Sequence, residues 1–384
     1  SGPHLHFEIR DKNNKPLNPL LTNYSITDTQ FPVAKSISVI PLEEISRVNG
    51  EIKPIIIPIK KIDDSNYKIE NEIKVSGPFG LAVKIIDRIN QQPFKFGLFG
   101  LKMYIDEELH YSIQYDHFDF DEGELVYTER DYALIRSGEG KYYRLFKDDS
   151  RKKLSFHDDG FGGINLLEFG NYKLKIIAYD YNQNEISISG NLIIEENKIN
   201  SKTAKIGSEI QLFKNNCENC EIHQFEHGIY FSIPQSSIKG TPEVFINSNI
   251  IQNKEVEFHY FKNDNNHEFV FNPTDLESIN CINFKSQTKN LEFPFNGTFS
   301  VPKRPFNIRQ DNIIVEGNGD TFYDTSFVWI RKIETKTELN YGKLLEGPWE
   351  VGPDFIPYRN QIEIEITTSQ FDIKDSEQIS IYYL

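Results

Sequence analysis

Two histidines two residues apart, His4 and His6 in the opening stretch SGPHLHFEIR, are the first residues of this chain whose type and spacing suit chemistry. Leu5, Phe7 and Ile9 alternate with them. On a β-strand successive side chains leave opposite faces, so the apolar set would face a core while His4, His6 and Glu8 share the other face. Neutral imidazole nitrogen is a good zinc ligand, and a strand holds it still. Gly2-Pro3 suits entry into such a strand, because a proline at the first position forfeits no ladder hydrogen bond. The blander alternative is a strand with two surface histidines.

Together, the Gly-Pro entry, the paired histidines and the Phe-Glu exit resemble the closing motif of the lysostaphin/LytM-type zinc metallopeptidases, which cut peptide bonds in bacterial cell-wall peptidoglycan. The resemblance implies that His6 is a zinc ligand and that His4 is the catalytic histidine beside a metal-bound water. Glu8, on the same face, would orient a histidine by hydrogen bonding. Zinc as cofactor, a peptidoglycan peptide as substrate, and a periplasmic or envelope location come with the same resemblance. That family takes its other two ligands from an earlier H-x-x-x-D, and none precedes the motif here. A catalytic zinc needs three protein ligands and a water. The expectation is therefore the C-terminal region of a longer peptidase, inactive by itself. A rival expectation is a structural or docking subunit of a bacterial envelope assembly, with a protein partner and a degenerate or incomplete peptidase part.

A second set of metal-ligand types follows much later, in Cys217-x-x-Cys220-x-x-His223-x-x-x-His227. Four such ligands are enough for a tetrahedral zinc, but finger sites separate the two halves by a dozen or so residues, and these are nearly continuous. A loop with free thiols or a local disulfide is the competing reading. His117 and Asp121 formally spell H-x-x-x-D, yet they follow the H-x-H, and Phe118 and Phe120 alternate as in a strand. Asp119, Asp121, Glu122 and Glu124 lack calcium-hand spacing and read as solvated charges. The stretch GPWEVGPDFIPY at 347–358 reads as a plug at a sandwich edge before it reads as a binding loop. No phosphate loop, dinucleotide fingerprint or G-x-S-x-G is present.

The elements that must position these residues read as strands. The chain has 384 residues, 38% hydrophobic, rich in Ile, Phe and Tyr, and enrichment of this kind favours sheets over helices. Short apolar runs such as SISVIPL (36–42), IKPIIIPIKKI (52–62) and NYKLKIIAYDYNQNEISISGNLII (171–194) are set off by Gly, Asn and Asp. They predict tandem antiparallel β-sandwiches of immunoglobulin-like type, with Asn182-Gln183-Asn184 as a hairpin turn. Between 121 and 160 the rhythm breaks; Thr128 and Asp131 have capping-box-like spacing, which predicts a short helical insertion.

Composition shifts and Pro-rich junctions divide the chain into a peptidase remnant at 1–29, a sandwich at 30–198, a second at 199–298 and a third at 299–384. This order is similar to that of multi-domain Bacteroidota envelope peptidases carrying immunoglobulin-like modules. The net charge of −15, 42 basic against 57 acidic residues, argues against nucleic acid as a partner. No apolar run is long enough for a helical membrane span. Three cysteines, Cys217, Cys220 and Cys281, neither require nor exclude an oxidising compartment.

Overall fold

The computed structural model describes residues 7–22, 26–117, 119–120, 122, 129–147, 157–160, 163–164, 167–196, 200–207, 220–225, 228–248, 254–262, 265–276, 278–323, 325–332 and 349–367. Strands dominate them, arranged in layered sheets around three main apolar cores, as the β-sandwich expectation requires.

The first layered unit runs from Val33–Pro41 to Glu185–Ile194. Its longest pairing joins Gly170–Tyr179 to Glu185–Ile194 in unbroken register, and the turn expected at 182–184 closes it, with Gln183 at φ 67°. Along the first of these strands Leu174, Ile176 and Ala178 are buried while Lys173 and Lys175 are exposed, the period-two pattern of a half-buried sheet. The strand Ile55–Lys61 joins the two layers. Its first half pairs with Val33–Pro41 up to Pro58, opposite Ser36, and its second half pairs with Asn66–Ile69. Proline has no N–H to continue a ladder, so the change of partner falls at Pro58.

The expected helix forms as one turn and a half, Tyr132–Arg136. Asp131 is itself the N-cap, its side chain accepting from the Leu134 amide, so the capping box drawn from Thr128 gives way to a simpler local cap. Thr128 lies outside the described residues.

The second unit is a ten-stranded sheet from Ser201–Gly207 to Trp349–Gly352 around an aromatic core. Phe231 sits at its centre, edge-on to Phe271, Phe293 and Phe295 at 5.4–5.9 Å between ring centroids. At residue 298, where the sequence suggests a boundary, the sheet is continuous: Asn290–Ser300 pairs with Ser326–Lys332. The reason is that residues 326–330 of this strand are buried on both faces. Phe327 and Trp329 fill the aromatic core, while Val328 and Ile330 face a smaller one built on the hairpin Phe306–Gln310 and Ile313–Gly317. A strand of this kind reads as a continuous apolar run, so alternation is no guide to it.

Glycines let aromatic rings lie flat across the ladders. A Cβ on Gly297 would come 2.4 Å from the Phe327 ring, which is itself fully buried. Gly297→Ala should therefore destabilise the protein by about 1–3 kcal/mol through overpacking, read as a lower denaturant midpoint with an unchanged slope.

His267 in Asn266–Phe271 is buried, with Nδ1 2.8 Å from the Tyr260 hydroxyl, and burial lowers its pKa, helped by Lys262. The unfolded chain then takes up a proton near pH 6.5 that the folded one resists. Stability attributable to His267 is complete above pH 6.5 and is lost as pH falls through the folded pKa. Chemical denaturation between pH 7.5 and 5 should show this slope, and His267→Gln should flatten it.

Candidate functional site

His4 and His6 lie outside the described residues, which begin at Phe7. Ile9–Arg10 pairs antiparallel with Pro16–Leu17, a small hairpin closed by Asp11, whose carboxylate accepts from the amides of Asn13 and Lys15. Glu8 is held by Arg10, whose Nε donates to its Oε1 at 2.9 Å. Its carboxylate is therefore committed to a neighbouring guanidinium on its own strand.

This hairpin is seated on the first sandwich. Leu17 forms a bridge with His117, the Asn18 amide donates to the Asp116 carbonyl at 2.9 Å, and the Asn18 side chain reaches the Tyr115 carbonyl. Lys15 pairs with Asp119 at 2.9 Å, and the Arg10 guanidinium lies 4.6 Å above the Phe120 ring. A buried network backs the strip. The Tyr115 hydroxyl donates to Glu129 at 2.7 Å, and Arg130 donates to Tyr115 while stacking 3.6 Å over Tyr143. His117 bonds Asp116 at 2.6 Å and Asp119 is paired with Lys15, so both serve the docking strip, whereas Glu122 is buried, its Oε2 accepting from the Asp119 amide, which corrects its reading as a solvated charge. Phe118, Asp121 and Glu124 are outside the described residues.

In the Cys217-Cys220-His223-His227 set, Cys220 is disulfide-bonded. A disulfide sulfur has no thiolate to give a metal, so the four-ligand zinc reading yields to the disulfide alternative at this position. His223 is exposed, with Nε2 3.1 Å from Glu221. Cys217 and His227 lie outside the described residues. Cys281 is free and buried, and burial pushes its thiol up to about 11, which makes it inert.

Within 347–358 the described residues plug an edge, as expected from the sequence. Trp349, Val351, Ile356 and Tyr358 pack on the smaller core, and Tyr358 donates to the Pro353 carbonyl at 2.8 Å.

The two large units meet at Arg47. It is 8% exposed, donates to the carbonyls of Glu44 and Ser46, and lies 3.5 Å over the Phe261 ring. Ile52 from the first unit packs with Tyr230 and Val270 of the second, and Glu44 stands 3.6 Å from His259. Burial lowers the Arg47 pKa, with Tyr230 and Glu268 acting in the opposite direction. A cleft of about 280 Å³ opens beside this seam between Lys74, Glu195, Glu196 and Phe261.

One constellation has no sequence signal. Asp28, Asp87 and Asp180 are all buried, and each brings a carboxylate oxygen to within 4.8 Å of the others. Asp87 follows the strand Phe79–Ile86, and Asp180 follows Gly170–Tyr179. Asp28 precedes Val33–Pro41, whose first residue pairs with Ile86. The three meet where strand ends of both layers converge. Asp28 Oδ1 accepts from the amides of Gln30 and Asn90, and both Asp180 oxygens accept from Asn184. Burial, reinforced by the two neighbouring carboxylates, pushes Asp87 up to about 7. No family model, no curated protein and no solved structure matches this chain.

None of the described residues before Ala34 belongs to a core cluster. Deleting residues 1–24 should therefore leave a cooperative β-type thermal transition close to that of the intact chain. Collapse or aggregation would mean that the hairpin is needed for the sandwich to fold.

Proposed function

We propose that this chain is the C-terminal region of a zinc-dependent cell-wall endopeptidase, with β-sandwich modules of immunoglobulin-like character that position the peptidase strand. The observation that supports this is the continuity of SGPHLHFE with a hairpin seated firmly on the first sandwich through Lys15, Leu17 and Asn18. Such seating fixes the described residues next to the motif against the first sandwich, which suits modules that position a peptidase strand. His6 would hold the metal, and His4 would move the proton at the attacking water or stabilise the developing oxyanion. Bound zinc would supply a polarised carbonyl and a water of lowered pKa. The substrate class is a peptidoglycan peptide, and the location is the periplasm or cell envelope.

A second reading, a docking subunit whose peptidase part is degenerate, draws on the extent of layered sheet in the chain and on the seam at Arg47. The two readings differ in the ligands that accompany His6. The first requires an H-x-x-x-D upstream of the motif in the complete protein, and the second has it substituted.

The 384-residue chain by itself should hold zinc weakly and release no peptide from peptidoglycan, since one ligand cannot fix a catalytic ion. In the complete protein, His6→Ala should remove zinc and activity together. His4→Ala should retain zinc and lower turnover by about 100-fold or more. Metal content by atomic absorption and soluble muropeptide release read the two effects. Near-normal turnover in zinc-loaded His4→Ala would overturn the roles given to the two histidines.

A further inference from the structure

Three buried carboxylates side by side need either a proton or a cation among them. Transfer of an ionised carboxylate from water into an apolar interior is costly unless it is paired or ligates a metal, and like charges at this separation add to the cost. Among the described residues, no Lys, Arg or His forms an ion pair with Asp28, Asp87 or Asp180. Asp28 and Asp180 are oriented by amide donors. Asp87 is different. It is 3% exposed, and its Oδ1 has no hydrogen-bond partner although the carboxylate faces the other two. A buried acceptor left without a donor is costly to keep, and a cation at the meeting point of the three carboxylates would satisfy it.

We propose that Asp28, Asp87 and Asp180 bind a calcium ion that fastens the segment around residues 26–30 to the end of the first sandwich. The donors are all oxygen, with no imidazole or thiolate among them, which selects a hard cation over zinc. They come from three separate segments, two of them loops. Calcium accepts such variable geometry with six to eight oxygens, whereas magnesium demands a strict octahedron at shorter distances. The surroundings are built for this attachment. Asn182 Nδ2 donates to the Ile26 carbonyl at 2.9 Å, Asn184 Nδ2 donates to the Asp28 carbonyl at 3.2 Å, and Asn90 bonds Thr29. The ion would complete a clasp between the hairpin-bearing N-terminal segment and the sandwich, and it does so whatever chemistry residues 1–10 perform.

The test uses the full chain, first stripped with chelator and then titrated with calcium chloride by isothermal calorimetry, with thermal unfolding in EDTA, calcium or magnesium. One calcium should bind per chain, and calcium at about a hundred times its dissociation constant should raise the Tm by roughly 5–10 °C. Asp87→Asn removes one of the mutually repelling charges. It should unfold in EDTA at a temperature no lower than that of the parent protein, yet gain nothing from calcium. Asp180→Asn should lose the calcium response as well, while Asp119→Asn, on the docking strip, should keep it. An unchanged Tm with no heat of binding would overturn the proposal. So would a calcium response that survives Asp87→Asn, because the ion would then lie elsewhere. An equal response to magnesium would overturn the choice of calcium.

Discussion

A strand has two faces, and in this protein the need to cover both of them decides how the sheets are joined. Where one face meets solvent, as along Gly170–Tyr179, lysines alternate with Leu174, Ile176 and Ala178 and the layer ends there. Where neither does, as along Ser326–Lys332, a second core must form on the far side. That single strand, its first five residues buried on both faces, packs the hairpin Phe306–Gln310 and Ile313–Gly317 against the large aromatic sheet and carries the sheet across the Pro-rich junction.

The joints between layers and units rest on a few particular residues. Pro58 marks the point where Ile55–Lys61 leaves one partner for another, since its missing N–H costs nothing there. Arg47 caps the seam between units by giving Nη1 to two local carbonyls and its flat face to Phe261, while its buried Nη2 has no hydrogen-bond partner; stacking of this kind suits a weakly hydrated guanidinium better than an ammonium. Beneath Tyr115, Asp116 and His117, hydrogen bonds among Tyr115, Glu129 and Arg130 back the surface on which the N-terminal hairpin rests. The buried carboxylates at the opposite end of the hairpin's connection make a second point of attachment, and the polar stitching by Asn182 and Asn184 lies between.

Taken together, these contacts hold the described N-terminal segment to the first sandwich at two places. A catalytic strand gains from such support because proton transfer and metal geometry are sensitive to displacements of about an ångström. A docking module would gain equally.

Sequence determined the class of fold. β-Branched and aromatic enrichment, Gly and Asn punctuation and the Asn182-Gln183-Asn184 turn are local signals, and the layered strands and the hairpin obey them. It also singled out the H-x-H motif, whose meaning lies in residue type and spacing alone. Tertiary structure decided what local pattern cannot hold. Ser326–Lys332 could not be assigned to one core or two from its own residues, because continuous burial looks the same in both cases. Cys220 carries the same letters whether it ligates or crosslinks, and only pairing in space separates the two. Asp28, Asp87 and Asp180 stand 59 and 93 residues apart, each unremarkable in its own turn, and they become a cluster only because antiparallel pairing brings the ends of both layers together.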